Sequence, residues 1–591
     1  MNGQPKPAFY MAVGGVVLAL IAFAVYRSDI FAPAPKPPAG DGGKIDPAQL
    51  GGGAPSIESN AEHPDAQPQL MAKEYTFRPR QERLPDPAGV GAYAPLDKND
   101  NTVRFALNVW AGWGPIILAN NGFQPGHVWK TPDGKQEFKV ELVVIDDPVQ
   151  MRDAYSTGNV HIGWGTLDML PLFMEGFVDK SGKPRDARVM PRVFQQIDWS
   201  NGGDGIVVRE NIKTVADLRG KKLVLAQNSP SHYFALNMLV SGGVQPSEVE
   251  FQFTADAFQA AAAFNAQKDI AGAVSWAPDI YNLEKVKGNR MLVTTLQANK
   301  LISDIWFTRA DFARDEPGIV EALVRGIFDA MTDLKQEAKK KELAELMAKG
   351  YNIPATDALA MQGDAHNTNW AENAQFFLNQ QNPTNFERVW NQSYYLYKRI
   401  RSITNAAVPF DQVMDPSVIQ KLGQEEKYSS QQDEYKIQFN PRTVGEIRDA
   451  ETEILTNTVV VKFFPNSADL RKTIVRKVDG KDVEELYDPS VDLMLEEVAK
   501  LAGQFGAAQI IIEGHTDASM KGQVPASLVK ELSLHRASAI KEALLQKFKD
   551  LDPNRFAVEG MGWEHPADPA DPDNHYKNRR VEIKVFSAEK Q

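Results

Sequence analysis

The side chains best suited to gripping a ligand stand near the C-terminus, in three short motifs that follow one another in order. Gly514-His515-Thr516-Asp517 comes first, then Leu532-Ser533-Leu534-His535-Arg536-Ala537, then Asn578-Arg579-Arg580-Val581-Glu582-Ile583. Asp517 falls just past an apolar run at 509–513 that reads as a strand, and Arg536 falls on the helix expected after it. A carboxylate and a guanidinium fixed at those places can hold a zwitterion. The first takes an amine, and the second bonds a carboxylate through its planar fork. Taken alone, the two residues read equally well as an ordinary strand-to-helix ion pair. The three ordered motifs favour a ligand.

The elements expected around these residues are a strand at 459–464, an amphipathic helix at 491–503, a strand at 509–513, the helix bearing Arg536 and a last strand at 580–586. Over 456–586 this pattern resembles the OmpA-like peptidoglycan-binding domain. The resemblance implies that Asp517 takes the amine and Arg536 the carboxylate of a diaminopimelate stem peptide, with Thr516, Leu532 and Arg580 completing the wall-binding surface. Val529 departs from the pattern, since the family usually has Asn there, and the loop 518–530 is a few residues long. An insertion near 475–487 carries the hairpin-like Val478-Asp479-Gly480-Lys481.

At 591 residues the chain exceeds one core and should divide into two or three domains. Its net charge of -12 argues against nucleic acid, which needs a basic stripe. The absence of cysteine removes disulfides, thiolate metal sites and thiol nucleophiles together. Residues 8–26 are uncharged and apolar, long enough to span a bilayer at about 1.5 Å per residue. Ala22-Phe23-Ala24 would serve as a signal-peptide cleavage site, but the apolar run continues to Tyr26, so 1–27 reads as an uncleaved signal anchor. The expected location is the inner membrane, single-pass, with the bulk in the periplasm attached to the wall. Residues 28–100, with Pro33-Ala34-Pro35-Lys36-Pro37-Pro38 and Gly51-Gly52-Gly53, read as a spacer that cannot bury enough apolar surface to fold. A second connector at 424–455 leaves a middle domain at 101–423.

In that middle domain strands alternate with helices. The strand 103–109 turns through Trp110-Ala111-Gly112-Trp113-Gly114-Pro115 into a helix, followed by a strand at 140–145, a helix at 148–157 and a strand at 160–165. Strands at 204–209 and 223–226 then lead to Gln227-Asn228-Ser229-Pro230-Ser231-His232, which opens another helix. Such alternation implies a parallel sheet with ligand crevices at the carboxyl ends of its strands. The Trp-bearing first turn, the step Leu218-Arg219-Gly220-Lys221-Lys222 and the phrase 271–279 are similar to the periplasmic solute-binding proteins of the nitrate, sulfonate, taurine and thiamine-precursor group, which serve ABC transporters. The resemblance implies an α/β, bilobal periplasmic-binding-protein fold of two parallel or mixed-sheet lobes, beside a smaller α/β OmpA-like domain and one N-terminal transmembrane helix. A membrane permease is the partner it implies. Helices at 317–335, 337–349, 358–362, 375–378 and 386–404 are expected to brace the lobes.

The helix start Asn228-Ser229-Pro230-Ser231 presents backbone N–H groups and hydroxyls, which favour an anion. No acid occurs between 227 and 236, so the solute is expected to be small and anionic. Trp110, Trp113, Trp164 and Trp276 can wall the pocket, Asp204 and Asp279 can bind an amine, and His232 can donate to the anion. For each Trp the plain alternative is lobe packing, and for each Asp a turn or cap. No cofactor or metal motif stands out, and no Gly-x-Ser-x-Gly elbow or phosphate-cradling loop suggests an enzyme. Two rivals to a receptor are a structural tether whose lobes bind protein, and an accessory subunit of a stator-like ion-driven complex. The latter is disfavoured because 8–26 has no ionisable residue.

Overall fold

The computed structural model describes residues 84–96, 100–254, 256–478 and 481–588. The apolar run 8–26 and most of the spacer lie outside them. Among the described residues no helix is long and apolar enough to cross a membrane.

The first lobe is a seven-stranded sheet, in the order Ala365–Asn367, Pro191–Ser200, Ser303–Arg309, Ile162–Thr166, Thr102–Leu107, Glu137–Val144 and Trp129–Lys130. Thr102–Leu107 runs parallel to both Glu137–Val144 and Ile162–Thr166, while Ser303–Arg309 enters antiparallel between Ile162–Thr166 and Pro191–Ser200. Helices cover both faces, so the inner strands are buried along nearly their whole length. At 200–204 the chain crosses to a second lobe with strands ordered Asn289–Thr294, Asp204–Arg209, Gly272–Trp276, Lys222–Ala226 and Glu250–Thr254. It returns at 295–302. The C-terminal helices of this region include Pro317–Asp333, Glu337–Tyr351 and Phe386–Arg399.

Residues 84–96, which composition groups with the spacer, lie along the first lobe. Arg152 Nη1 donates to Pro85 O at 2.7 Å, Arg309 Nη2 to Gly91 O at 2.8 Å, and Tyr93 Oη to Asp315 Oδ2 at 3.0 Å. Both arginines are buried, and backbone carbonyls of this segment complete their hydrogen bonding. The stretch 424–455 is likewise held down: Arg325 bonds Glu425, and Tyr435 stacks on His366 at 3.9 Å.

The C-terminal sheet has the order Glu451–Val459, Val581–Ala588, Gln509–His515, Phe556–Gly562. Here the expected strand at 459–464 is corrected: the paired strand is Glu451–Val459, and the chain leaves the sheet after Val459. The apolar residues beyond it turn inward, with Lys462 N bonded to Asp488 Oδ2 at 2.9 Å and the Phe463 ring under Arg536. The insertion forms a hairpin of Thr473–Val478 and Lys481–Leu486. Val529, in place of the expected Asn, packs with Met520, Val524 and Leu532, so an apolar contact stands where a polar one was awaited.

Helix Ala526–Lys547 lies directly on the strands Gln509–His515 and Phe556–Gly562 because both carry glycine at the contact. A Cβ at Gly514 would come 2.0 Å from Ser533 O, and one at Gly560 would come 2.1 Å from Lys530 O. Gly514→Ala or Gly560→Ala is therefore expected to destabilise the domain by about 1–3 kcal/mol, the usual cost of overpacking. Gly445, near the start of the helix Val444–Ala450 with open space around it, should accept Ala without loss. Urea melts of the three variants test this; equal midpoints would refute the contact.

Candidate functional sites

At the C-terminal site, strand Gln509–His515 delivers Asp517 to its end, and helix Ala526–Lys547 supplies Arg536. Both side chains are buried. They do not face each other as a simple ion pair. Asp517 is taken by Arg579, whose guanidinium pairs with its Oδ2, and by Ser519, whose amide donates to Oδ1 at 2.8 Å. Burial raises the Asp517 pKa, but Ser519 and Arg579 outweigh it and hold the carboxyl below its usual range. Arg536 Nε donates to Ser467 O at 3.0 Å, and its guanidinium lies 4.9 Å from the Phe463 ring centre.

Arg536, Arg579 and Arg580 together line a cavity of about 10 Å³, room for about one water, closed by Lys462, Phe463 and His515. Four cationic side chains thus surround one small space. Of the residues expected here, Thr516 is buried with its amide on Gly562 O at 2.9 Å, and Leu532 packs in the small apolar cluster with Val529. Arg580 lines the cavity while bonding Glu582 at 2.7 Å. Arg579 and Lys462 were not singled out. Arg579 stood beside Arg580 in the third motif, whereas Lys462 lay inside the expected strand.

Glu513, His515 and Glu582 sit close by, with ligand atoms all within 4.8 Å of one another. Lys584 Nζ already lies 3.4 Å from Glu513 Oε2, and Arg448 bonds Glu513 Oε1 at 2.5 Å. Burial raises the Glu513 pKa, but His515, Lys584 and Arg448 together bring it down to about 2. The group reads as an internal ion cluster.

In the middle region, strand register builds the candidate site. On the first lobe Asp304 stands opposite both Thr166 and Asp198. Asp168 follows two residues beyond the end of Ile162–Thr166, and Trp110 Nε1 donates to Asp198 Oδ2 at 3.1 Å. On the second lobe Asp204 is paired with Trp276 and Gly205 with Ser275, while Leu225 stands beside Val274. The turn 227–229 therefore leaves the sheet level with Ser275. Each lobe thus gathers polar residues at these strand ends, the level at which open α/β sheets bind their ligands.

At that turn Asn228 has φ 58, a left-handed conformation that Asn tolerates, and Ser229 Oγ is spent on Ala226 O at 2.8 Å. Ser231 Oγ, Asn228 Oδ1 and Ser275 Oγ are buried without a hydrogen-bond partner among the described residues. Buried groups of this kind carry a free-energy cost unless something fills the space they face. His232 is enclosed by Phe251, Phe253 and Tyr397. Trp113 is fully buried against Phe105 with its Nε1 on Asn108, and Trp164 donates to Ile145 O, so these two indoles serve lobe packing. Trp276 is half-buried at the cleft edge. Burial and the neighbouring Asp256 raise the pKa of Asp279.

An acid distant in sequence comes within electrostatic reach of the helix that this turn opens. Asp168 is buried near Tyr233, in the first turn of the same helix, and its charge raises the Tyr233 pKa further. Burial pushes Asp168 and Asp204 each up to about 7, and Asp364 to about 6. Asp198 and Asp304 stand opposite each other on neighbouring strands deep in the first lobe, and burial drives the pKa of both upward. Sequence distance hid this cluster, because its members come from five separate elements. The lobes also touch across the cleft: Tyr281 Oη donates to Asp364 Oδ1 at 2.8 Å, and the Trp110 ring fills the space beside Gly203.

The chain carries an OmpA family region at residues 480–580 and an NMT1/THI5-like region at residues 200–340. It is 28% identical over 213 residues to the taurine-binding periplasmic protein of Escherichia coli, covering 34% of this chain and 62% of that protein. It is also 25% identical over 223 residues to a putative aliphatic sulfonates-binding protein of Escherichia coli, covering 37% of this chain and 64% of the relative. Neither match spans two thirds of the relative's length. The crystal structure of the periplasmic aliphatic sulphonate binding protein of Escherichia coli aligns with a TM-score of 0.41 at 18% identity, over 58% of this chain and 97% of that one.

The cleft carboxyls give stability a definite pH dependence. A carboxyl raised to about 7 in the folded state, against about 3.9 unfolded, contributes most below the unfolded value and loses that contribution as pH rises through 7. Asp168→Asn should therefore flatten the fall in stability between pH 5 and 7 by about 1.4 kcal/mol per pH unit. Urea denaturation at four pH values measures the slope, and an unchanged slope would show that Asp168 is not protonated there.

Proposed function

We propose that this chain is a solute-binding receptor of the bacterial periplasm, held to the inner membrane by residues 8–26 and to the cell wall by its C-terminal domain. What supports the reading is the buried, unpartnered oxygens of Asn228, Ser231 and Ser275 at strand ends of the second lobe, together with the buried Asp168 just past a strand end of the first. A cleft with buried carboxyls and an N–H-rich helix start suits a small molecule bearing both an ammonium and an anionic group. The 28% identity to a taurine-binding protein supports the aminosulfonate class. In this reading Asp168 and Asp204 face the ammonium, and the Ser229 to His232 helix start takes the sulfonate.

At the wall site the stem-peptide amine displaces Arg579 from Asp517, and the space this opens beside Arg536 and Arg580 takes the carboxylate. The guanidinium already on Asp517 supports a cation-binding role for that carboxylate. A second reading, a tether whose lobes serve protein contacts, draws on the closure of the cleft by Trp110 and Tyr281.

Two experiments decide between these readings. The full chain should sediment with purified peptidoglycan sacculi, and Asp517→Ala or Arg536→Ala should abolish sedimentation while the far-ultraviolet spectrum stays unchanged. Retention by both variants would refute the wall site.

Taurine, ethanesulfonate and ethanolamine should be compared by thermal shift. Taurine at a hundredfold excess over its Kd should add about 2.7 kcal/mol. Its affinity should rise from pH 6 to 8 as the cleft carboxyls ionise, and Ser231→Ala should weaken it. No shift from any of the three would favour the tether.

A further inference from the structure

The C-terminal domain sits across the hinge of the solute-binding region. Arg388, on helix Phe386–Arg399, donates through Nε to Glu496 Oε2 at 3.1 Å, and Lys547 pairs with Glu496 Oε1 at 3.1 Å. The return crossing 295–302 is gripped as well. Lys300 N donates to Gln504 O at 3.2 Å and Gln297 Nε2 to Ser587 Oγ at 3.1 Å. Gly506 approaches so closely that a Cβ there would lie 2.6 Å from Asn299 Oδ1. Strand Glu451–Val459 reaches the second lobe, packing on helix Pro230–Ser241 and the turn Val215–Leu218. One domain thus touches the second lobe, a crossing that joins the lobes, and helix Phe386–Arg399, which itself packs on helix Leu170–Phe177 of the first lobe.

A line of polar contacts runs from this domain to the solute turn. Lys500 Nζ donates to Gln392 Oε1 at 3.0 Å, Gln392 Nε2 to Asn237 Oδ1 at 3.4 Å, and Asn237 Nδ2 to Tyr233 O at 2.9 Å. Tyr233 lies in the first turn of the helix that Ser229 opens, close enough to Asp168 to feel its charge. Gln392, Asn237 and Tyr233 are all buried, so a shift of that helix relative to Phe386–Arg399 must break or stretch one of these bonds.

A body that contacts one lobe, the connection and a helix packed on the other lobe fits one interlobe angle better than others, and differential contact is what shifts a two-state equilibrium. We infer that seating of the wall-binding domain and occupancy of the cleft are thermodynamically linked: the seated domain favours closed lobes, and a solute that closes the lobes tightens the seat. The inference rests on the solute-binding reading above. Linkage is reciprocal, so either site reports on the other.

The test uses the full chain, taurine as probe, and two variants outside both ligand sites. Glu496→Lys sets a cation against Arg388 and Lys547 at the half-buried rim, and Lys500→Met cuts the polar line. Sacculus binding by each variant serves as the check that it is folded. Taurine should slow amide exchange over 491–504 and 295–302 in the parent chain, and each variant should bind taurine at least about fivefold more weakly, the low end of ordinary coupling. If taurine binds with the same affinity in all three proteins and exchange over 491–504 is unchanged, the linkage is overturned and the solute reading stands. If the parent chain binds no taurine, the solute reading falls. Exchange over 230–241 in Glu496→Lys then decides: faster exchange than in the parent supports coupling of the two bodies, and equal exchange overturns it.

Discussion

The two-lobed architecture depends on how the two chain crossings are tied to each other. Thr295, at the start of the return crossing, accepts through Oγ1 from Gly202 N at 2.8 Å and from Asp204 N at 3.1 Å, while Ser200 Oγ lies 2.9 Å from the same oxygen. Ser200 Oγ also donates to Asp204 Oδ2 at 2.7 Å. One hydroxyl therefore fixes the outgoing crossing against the incoming one. All of these groups are buried, so their bonds are made at low dielectric and are costly to leave unmade. The angle between the lobes, the facing of their strand ends and the platform for the C-terminal domain all follow from this knot.

Given that constraint, the chemistry of the cleft is a matter of which strand ends meet. Sheet register places Asp198 and Asp304 side by side, and the hinge brings Asp204 into their electrostatic reach. Removing so many carboxyls from water raises their pKa values toward neutrality instead of leaving buried charge, because desolvation outweighs the nearby hydroxyl and indole donors. Carboxyls placed this way hold their protons to a higher pH than exposed ones do. The helix start on the opposite lobe offers the complementary environment.

The C-terminal domain solves the opposite electrostatic problem. Its site gathers arginines and a lysine around one small cavity, and the buried carboxylate of Asp517 nearby is paired with Arg579. Close packing of helix Ala526–Lys547 on Gly514 and Gly560 brings Arg536 down to that level. The Gly514-His515-Thr516-Asp517 motif therefore encodes backbone proximity at its first residue and charge at its last.

The sequence alone determined the local elements and the residue types of the wall site. The amphipathic helix at 491–503, the strand at 509–513 and the helix opened by Pro230 were legible because periodicity and helix-start chemistry are local properties. The placement of Asp517 at a strand end and of Arg536 on the following helix was legible because three motifs appeared in order. The strand at 451–459 was not, since its alternating polar residues resemble a connector, while the apolar run after it turned inward to line the pocket. Only the tertiary structure decided that Arg579 holds Asp517, that Trp113 and Trp164 pack the lobe, and that Asp168 comes within electrostatic reach of Tyr233. Charge and burial act through space, and residues 60 or more positions apart share a site only after register and hinge geometry have set them there.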